Sequence, residues 1–131
     1  MMIIRPEIEK DFESIKYVND HSFGSKEESE LVDRIRKSEY YIPELSFVAE
    51  NNGSIVGHMM FSKVYISTNE GKMEEVLMLA PMSVMPADQK MGVGSMMMAE
   101  SLKQLEKKKQ KAVVVLGHTW FYPKFGFKPA S

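Results

Sequence analysis

The residues best equipped for chemistry lie in one stretch, Pro86-Ala87-Asp88-Gln89-Lys90-Met91-Gly92-Val93-Gly94-Ser95. An apolar run ends at Pro86, a short polar loop follows, and helical spacing opens at about Gly92. The first N–H groups of a helix have no acceptor within it and carry a partial positive charge, which suits an anion. Glycines at 92 and 94 remove side chains that would hold a phosphate away from that backbone. Lys90 can add a charge and Ser95 a hydroxyl donor. The same residues also fit a plain strand–loop–helix turn whose glycines serve backbone geometry alone, and the stretch by itself leaves the two readings even. Other phosphate motifs fit badly. There is no G-x-x-x-x-G-K-S/T, and G-x-G-x-x-G fails because Met97 fills its last position.

Few other residues offer chemistry. Cysteine is absent, which removes disulfides, thiolate metal sites and cysteine nucleophiles together. His21 and His58 have no partner at metal-ligand spacing, so no metal site is expected. His118 directly follows the apolar run Ala112–Leu116 and is expected near the cleft at that strand's end, where an imidazole can shuttle protons. A loop histidine or a helix cap before Thr119 is an equal reading.

These groups need a scaffold, and the hydrophobic patterning supplies one. Met2–Arg5 reads as an opening strand. Glu7–Asp20 reads as a helix on Ile8, Phe12, Ile15 and Val18, with acidic residues at its start. Ser25 begins a second helix, with Glu28 three residues on as a capping box and Leu31, Val32 and Ile35 as its buried face. Leu45–Glu50 and Ser54–Ser67 flank the turn Asn51-Asn52-Gly53, a hairpin signal. Glu74–Met85 follows a second turn, Asn69-Glu70-Gly71-Lys72. Gly92–Lys109 is a helix with a Met98, Leu102, Leu105 stripe and cations at its end. Ala112–Leu116 suits a central strand covered on both faces, and a short helical piece follows at Thr119–Lys124. The order β-α-α-β-β-β-α-β implies an α/β mixed sheet with helices on both faces. The crossover helix should join strands 74–85 and 112–116 in parallel and right-handed. A ligand belongs at the carboxyl ends of those strands.

Composition bounds the alternatives. The 131 residues make one domain. Lys and Arg total 17 against 18 Asp and Glu, a net charge of −1, so no nucleic acid or membrane surface is expected as a partner. Met1–Ile4 is too short for a signal peptide and is followed by Arg5, Pro6 and Glu7. No apolar run approaches a membrane span. A cytoplasmic enzyme or binding module is the expectation. Twelve methionines are the compositional oddity, and a soft, gap-filling core accounts for them better than metal or redox chemistry does.

Gln89-Lys90-Met91-Gly92-Val93-Gly94 matches the Q/R-x-x-G-x-G/A signature of the GNAT acetyltransferases, and the order of elements from Met1 to about Ser131 resembles that family throughout. Leu79-Ala80-Pro81-Met82-Ser83-Val84-Met85-Pro86, Val113-Val114-Val115-Leu116-Gly117-His118 and Phe121-Tyr122-Pro123-Lys124-Phe125-Gly126-Phe127 carry the resemblance at the right spacing. It implies the three-layer α-β-α fold of acyl-CoA N-acyltransferases with splayed parallel central strands. It also implies acetyl-CoA as cofactor, with the pyrophosphate at Gln89, Lys90, Met91, Gly92, Val93, Gly94 and Ser95. The pantetheine arm would lie along the strand before the signature, pairing with the backbone of Met82, Ser83 and Val84 like an added strand. Pro81 cannot donate to a ladder and so belongs at an edge, bulge or break.

The resemblance also makes Tyr122 the candidate general acid for the departing thiolate, since a phenol with pKa near about 10 suits a thiolate of similar basicity. The residues alone favour an aromatic packing role beside Phe121, Phe125 and Phe127. The general base is not identified. Some relatives carry a glutamate where this chain has Met78, and Glu74 and Glu75 lie further back. Family members continue past the G-F pair with further strands, where this sequence stops at Ser131: either the protein is naturally short, or the sequence is truncated, or another subunit supplies the edge. If the 131 residues are the whole chain, the run Ala112–Leu116 has an open edge and a homodimer is expected to cover it. The leading expectation is an N-acetyltransferase acting on a small-molecule or peptide amine. The alternatives are a non-catalytic acyl-CoA-binding module and, behind it, a structural domain whose glycine loop binds nothing.

Overall fold

A computed structural model of the chain describes residues 2–67, 70–107 and 113–115. Five strands form one sheet in the order β1-β2-β3-β4-β5: β1 (Met2–Pro6), β2 (Tyr41–Asn51), β3 (Ser54–Ser67), β4 (Met73–Val84) and β5 (Val113–Val115). The first four pair antiparallel, and β5 runs parallel to β4 at Leu77–Leu79. The helices are α1 (Phe12–Phe23), α2 (Glu27–Arg36) and α3 (Val93–Lys107). The α/β mixed sheet and the order of elements expected from the patterning are the ones observed.

Side-chain alternation along β2 and β3 divides the core in two. Phe47, Ala49, Met59 and Phe61 pack with Val93, Met97, Met98 and Leu105 of α3. Ser46 and His58 point the other way, His58 reaching Asn19 of α1, and Met60 packs with Val32 and Ile35 of α2. Both parities of β3 are therefore buried, with α1 and α2 on one face and α3 on the other. The many methionines do fill this core: Met59, Met60, Met97 and Met98 are all fully buried. Gly57 lets α3 approach closely, because a Cβ there would lie 2.9 Å from Met97 Cε and 3.3 Å from Ala49 Cβ.

Three local expectations needed revision. The first helix does not start at Glu7. Ile8 is extended, the Asp11 carboxylate accepts its N–H, a 3-10 turn covers Glu9–Asp11, and α1 begins at Phe12. Glu7 is instead drawn into the core by partners described below. At α2, Ser25 forms no reciprocal capping box. Its hydroxyl donates to the Glu28 carboxylate and accepts from Glu27 N–H, and the helix opens at Glu27. The strand expected over Leu45–Glu50 extends back to Tyr41, through a break in register between Tyr41 and Ser46. The hairpin turn is as expected: Asn52 and Gly53 both have positive φ, 51° and 87°, the signature of a two-residue turn matched to strand twist.

β4 carries the irregularity that Pro81 predicts. Met59 faces Met82 and Phe61 faces Leu79, so Ala80 and Pro81 together oppose the single residue Met60. That is a β-bulge, and it accommodates a residue with no N–H to give.

Candidate active site

The carboxyl end of β4 leads straight into the glycine-bearing segment expected to receive a phosphate. Pro86–Met91, which includes Gln89, Lys90 and Met91, forms a 3-10 turn rather than an open loop. Gly92 then takes a left-handed conformation, φ 78° and ψ 12°. Its carbonyl accepts the first bond of α3 from Met96 N–H, 3.0 Å away. Gly92 thus caps the helix, and among the described residues nothing lies within 4 Å of where its Cβ would stand. A side chain here would be strained by φ and would project over the helix entrance. Val93 is buried and anchors the first turn, Gly94 and Ser95 are half-buried, and the 15-residue α3 aligns its dipole on this end. Gln89 does not project from the turn: its side-chain amide donates to Val84 O at 3.1 Å, tying the turn back to the strand.

The strand residues divide by register. Met85 N–H donates to Val56 O, so Val56 and Met85 are a bonded pair and the neighbouring pair Gly57–Val84 is a non-bonded one. Alternation makes His58–Ser83 bonded and Met59–Met82 non-bonded. The main-chain groups of Met82 and Val84 therefore face away from β3, towards the β5 side of the sheet, while Ser83 gives its main chain to the β3 ladder. Of the three residues expected to share a ligand's amides, Met82 and Val84 turn their main chain towards the β5 side. Ser83 contributes a side chain on the opposite face.

Sequence reasoning missed what that side chain joins. Ser83 Oγ donates to Asn19 Oδ1 at 2.8 Å. The Asn19 amide donates to Ile15 O at 3.2 Å and meets His58 Nδ1 at 3.3 Å. With Nδ1 accepting, His58 carries its proton on Nε2 and donates to Glu7 Oε1 at 3.2 Å. Glu7 also accepts from Ser46 Oγ (2.6 Å), Arg36 Nε and Nη2 (3.0 and 2.9 Å) and the Tyr41 hydroxyl. His58 and the Glu7 carboxylate are fully buried. Among the described residues no buried side-chain N or O lacks a partner. Burial pulls His58 below its ordinary pKa and outweighs the attraction of Glu7. Burial also works against the Glu7 charge, but the donors of His58 and Arg36 win and hold its carboxyl well below the usual range. Burial and the same carboxylate push the Tyr41 phenol up to about 12. His58 is a neutral, satisfied core histidine.

Tyr122 and His118, the expected catalytic residues, lie outside the described residues, as does the expected helical piece Thr119–Lys124. Met78 faces Ser62 across the ladder in the stretch of β4 that pairs with β5. Glu75 faces Tyr65 at the far end of the strand and accepts its hydroxyl at 3.0 Å. Among the described residues no group of three or more His, Asp or Glu could hold a metal ion, and no helix is long and apolar enough to cross a membrane.

Known proteins resemble this chain in sequence and in fold. The family model of the acetyltransferase (GNAT) domain matches residues 3–130. The chain is 36% identical over 123 residues to the uncharacterized N-acetyltransferase YjhQ of Escherichia coli K12, covering 92% of this chain and 66% of that protein. The matched stretch thus spans a little under two thirds of YjhQ's length. It is 30% identical to the uncharacterized N-acetyltransferase YhbS of the same organism, covering 99% of this chain and 75% of YhbS. The crystal structure of YhbS in complex with CoA superposes with a TM-score of 0.85, covering 97% of this chain and 68% of that one. A GNAT acetyltransferase from Brucella melitensis in complex with acetyl-CoA, 35% identical, superposes at 0.87 over 98% of this chain and 83% of that one. A bulged strand feeding a glycine-capped helix, in a chain matched by the GNAT model over nearly its whole length, makes this protein a member of the GNAT acetyltransferase family.

Proposed function

We propose that this protein is an acetyl-CoA-dependent N-acetyltransferase that moves an acetyl group to a primary amine of a small molecule or peptide by direct attack. One observation carries the reading: the outward-facing backbone of Met82 and Val84 leads, through a short turn, to the Gly92-capped N-terminus of α3. That path offers strand-like amide partners at one end and an open anion site at the other, which is the pattern of a pantetheine arm ending in a pyrophosphate. The ligands of the YhbS and Brucella melitensis structures are CoA and acetyl-CoA, the same chemistry.

Bound acetyl-CoA supplies the acetyl group as a thioester. The amides of the first turn of α3, with Gly92, Val93, Gly94 and Ser95, receive the pyrophosphate, and Lys90 adds charge. Gln89 holds the turn against Val84. Tyr122 is the proposed general acid for the leaving sulfur and His118 a proposed proton acceptor for the incoming amine. The protein is proposed to work in the cytoplasm. It is also proposed to form a homodimer over the β5 side of the sheet, which light scattering at micromolar concentration tests.

The test of the cofactor site is Gly92→Asp. It sets a carboxylate at the anion site and should abolish CoA binding in calorimetry while the fold persists. Unchanged affinity in folded variant would remove the proposed site. Thiol release from acetyl-CoA with a panel of amines then tests transfer. Tight CoA binding without turnover on any amine class would favour a non-catalytic acyl-CoA-binding module.

A further inference from the structure

The chain of buried side chains ends at Ser83, between the two residues that turn their main chain towards the β5 side. A strand that binds a ligand along one edge must leave that edge unpaired by protein, so half of its ladder bonds are not available to fix it. β4 has a second handicap: the bulge at Ala80–Pro81 interrupts its register with β3 immediately before Met82. The segment Met82–Val84 is held to β3 through Ser83 and through Met85, whose N–H reaches Val56 O at 2.8 Å, and on its outer side the Gln89 amide ties it, donating to Val84 O. Rotation about the strand axis would re-aim the Met82 and Val84 amides.

The Ser83 hydroxyl opposes that rotation. It donates to Asn19 on the middle of α1, and Asn19 is itself fixed by Ile15 O and His58 Nδ1. His58 stands directly opposite Ser83 on β3. It is held through Nε2 by Glu7, which Arg36 of α2 grips with two nitrogens. Asn19 and His58 are fully buried and Ser83 is 2% exposed. Apolar residues of similar size could fill this volume without the desolvation cost of four polar side chains.

We propose that Asn19 and His58 are positioning residues for the pantetheine arm of acetyl-CoA, acting through the Ser83 side chain on the strand that carries Met82 and Val84. The proposal rests on the cofactor reading above and adds residues on the opposite face of the sheet, none of which touches the ligand.

Two ligands separate positioning from plain stability. Coenzyme A carries the pantetheine arm; adenosine 3′,5′-bisphosphate keeps the nucleotide end and lacks the arm. Calorimetry on folded Ser83→Ala should show CoA bound about five- to tenfold more weakly, the size of one lost hydrogen bond. The bisphosphate should bind within about twofold of the parent, and Ser83→Thr, which keeps the hydroxyl, should restore CoA affinity. If Ser83→Ala does not fold, Ser83→Cys takes the same pair of measurements. Equal weakening of both ligands, or of neither, overturns the positioning role. Should Gly92→Asp also leave CoA affinity unchanged, the cofactor site itself is wrong; loss of CoA binding in Gly92→Asp with no effect at Ser83 sinks this inference alone.

Discussion

The buried imidazole makes a quantitative prediction about acid sensitivity. His58 titrates at an ordinary value of 6.5 when unfolded, and burial lowers this in the fold, with Glu7 pulling the other way and Arg36 adding to the depression. Asn19 and Ser46 complete its surroundings. The folded chain therefore binds fewer protons here than the unfolded chain at mildly acid pH. The stability this group contributes is fully present above 6.5 and is lost as pH falls towards the lowered folded value. For one proton the slope approaches about 1.4 kcal/mol per pH unit. Going from pH 7.5 to 5.5 should cost up to about 1.4 kcal/mol, a sizeable share of a typical domain's stability of roughly 5–15 kcal/mol. Denaturant unfolding across that range, with a constant m-value, measures it. His58→Gln keeps a donor towards Glu7 but cannot titrate, so its stability should lack this component, whatever its absolute value. Other histidines cancel in the difference between the two proteins. A wild-type curve flat between pH 7.5 and 5.5, or an equal fall in His58→Gln, would refute the reasoning. Glu7 adds a second, separate loss below its ordinary value of 4.5, because its folded pKa is also depressed.

Three further outcomes are expected. Arg36→Met leaves the buried Glu7 charge without its bidentate partner and removes the guanidinium stacked 3.7 Å over the Phe12 ring, so unfolding free energy should fall by ~3–5 kcal/mol; a loss under ~1 kcal/mol would mean the pair is not buried as described. Gly57→Val forces α3 off the sheet and should destabilise by ~1–3 kcal/mol in thermal or denaturant melts, whereas Gly57→Ala should cost less because the Met97 terminus can swing aside. Tyr122→Phe should lower turnover by ~100-fold with CoA affinity unchanged; an effect on binding alone would return Tyr122 to a packing role.

The sequence was most legible where a residue's covalent character dictates backbone. Pro81 announced an edge, bulge or break, Asn52-Gly53 the hairpin turn, and Gly92 the helix entrance, because each has a backbone character its neighbours lack. It was least legible where tertiary contacts override local preference. Glu7 sits in a position that helix-dipole reasoning assigns to an exposed first turn, yet Arg36, Tyr41, Ser46 and His58 draw it inwards from well separated places in the chain. His58 has no partner at metal-ligand spacing, so its spacing signals nothing. A better signal lay in its strand: Val56 and Met60 on one parity and Met59 and Phe61 on the other mean burial on both faces, so a histidine between them must be buried and satisfied. Asn19 gave no such signal, since one asparagine late in an amphipathic helix reads as a capping residue. Tyr122 and His118 draw their proposed roles from family resemblance, and no geometry of the described residues bears on them.

The bulge in β4 works as a change of phase. Leu77 and Leu79 before it and Met82 and Val84 after it pack on the same core, although the first pair is odd-numbered and the second even. A strand of the same length without the bulge would turn everything downstream over. A single-residue deletion at Ala80 or Pro81 instead removes the extra residue and leaves Met82, Ser83 and Val84 opposite Met59, His58 and Gly57 on their present faces. In the full-length strand without its bulge, Ser83 would point its hydroxyl into the methionines of α3, and the side chains of Met82 and Val84 would press on Asn19. Length can drift in the hairpin before Met73 at little cost, because a loop absorbs it. Between Leu79 and Met82 it cannot grow: one residue added to the two of the bulge inverts the segment Met82–Val84 while changing scarcely any of its residues, a lesion that substitution scanning alone would never sample.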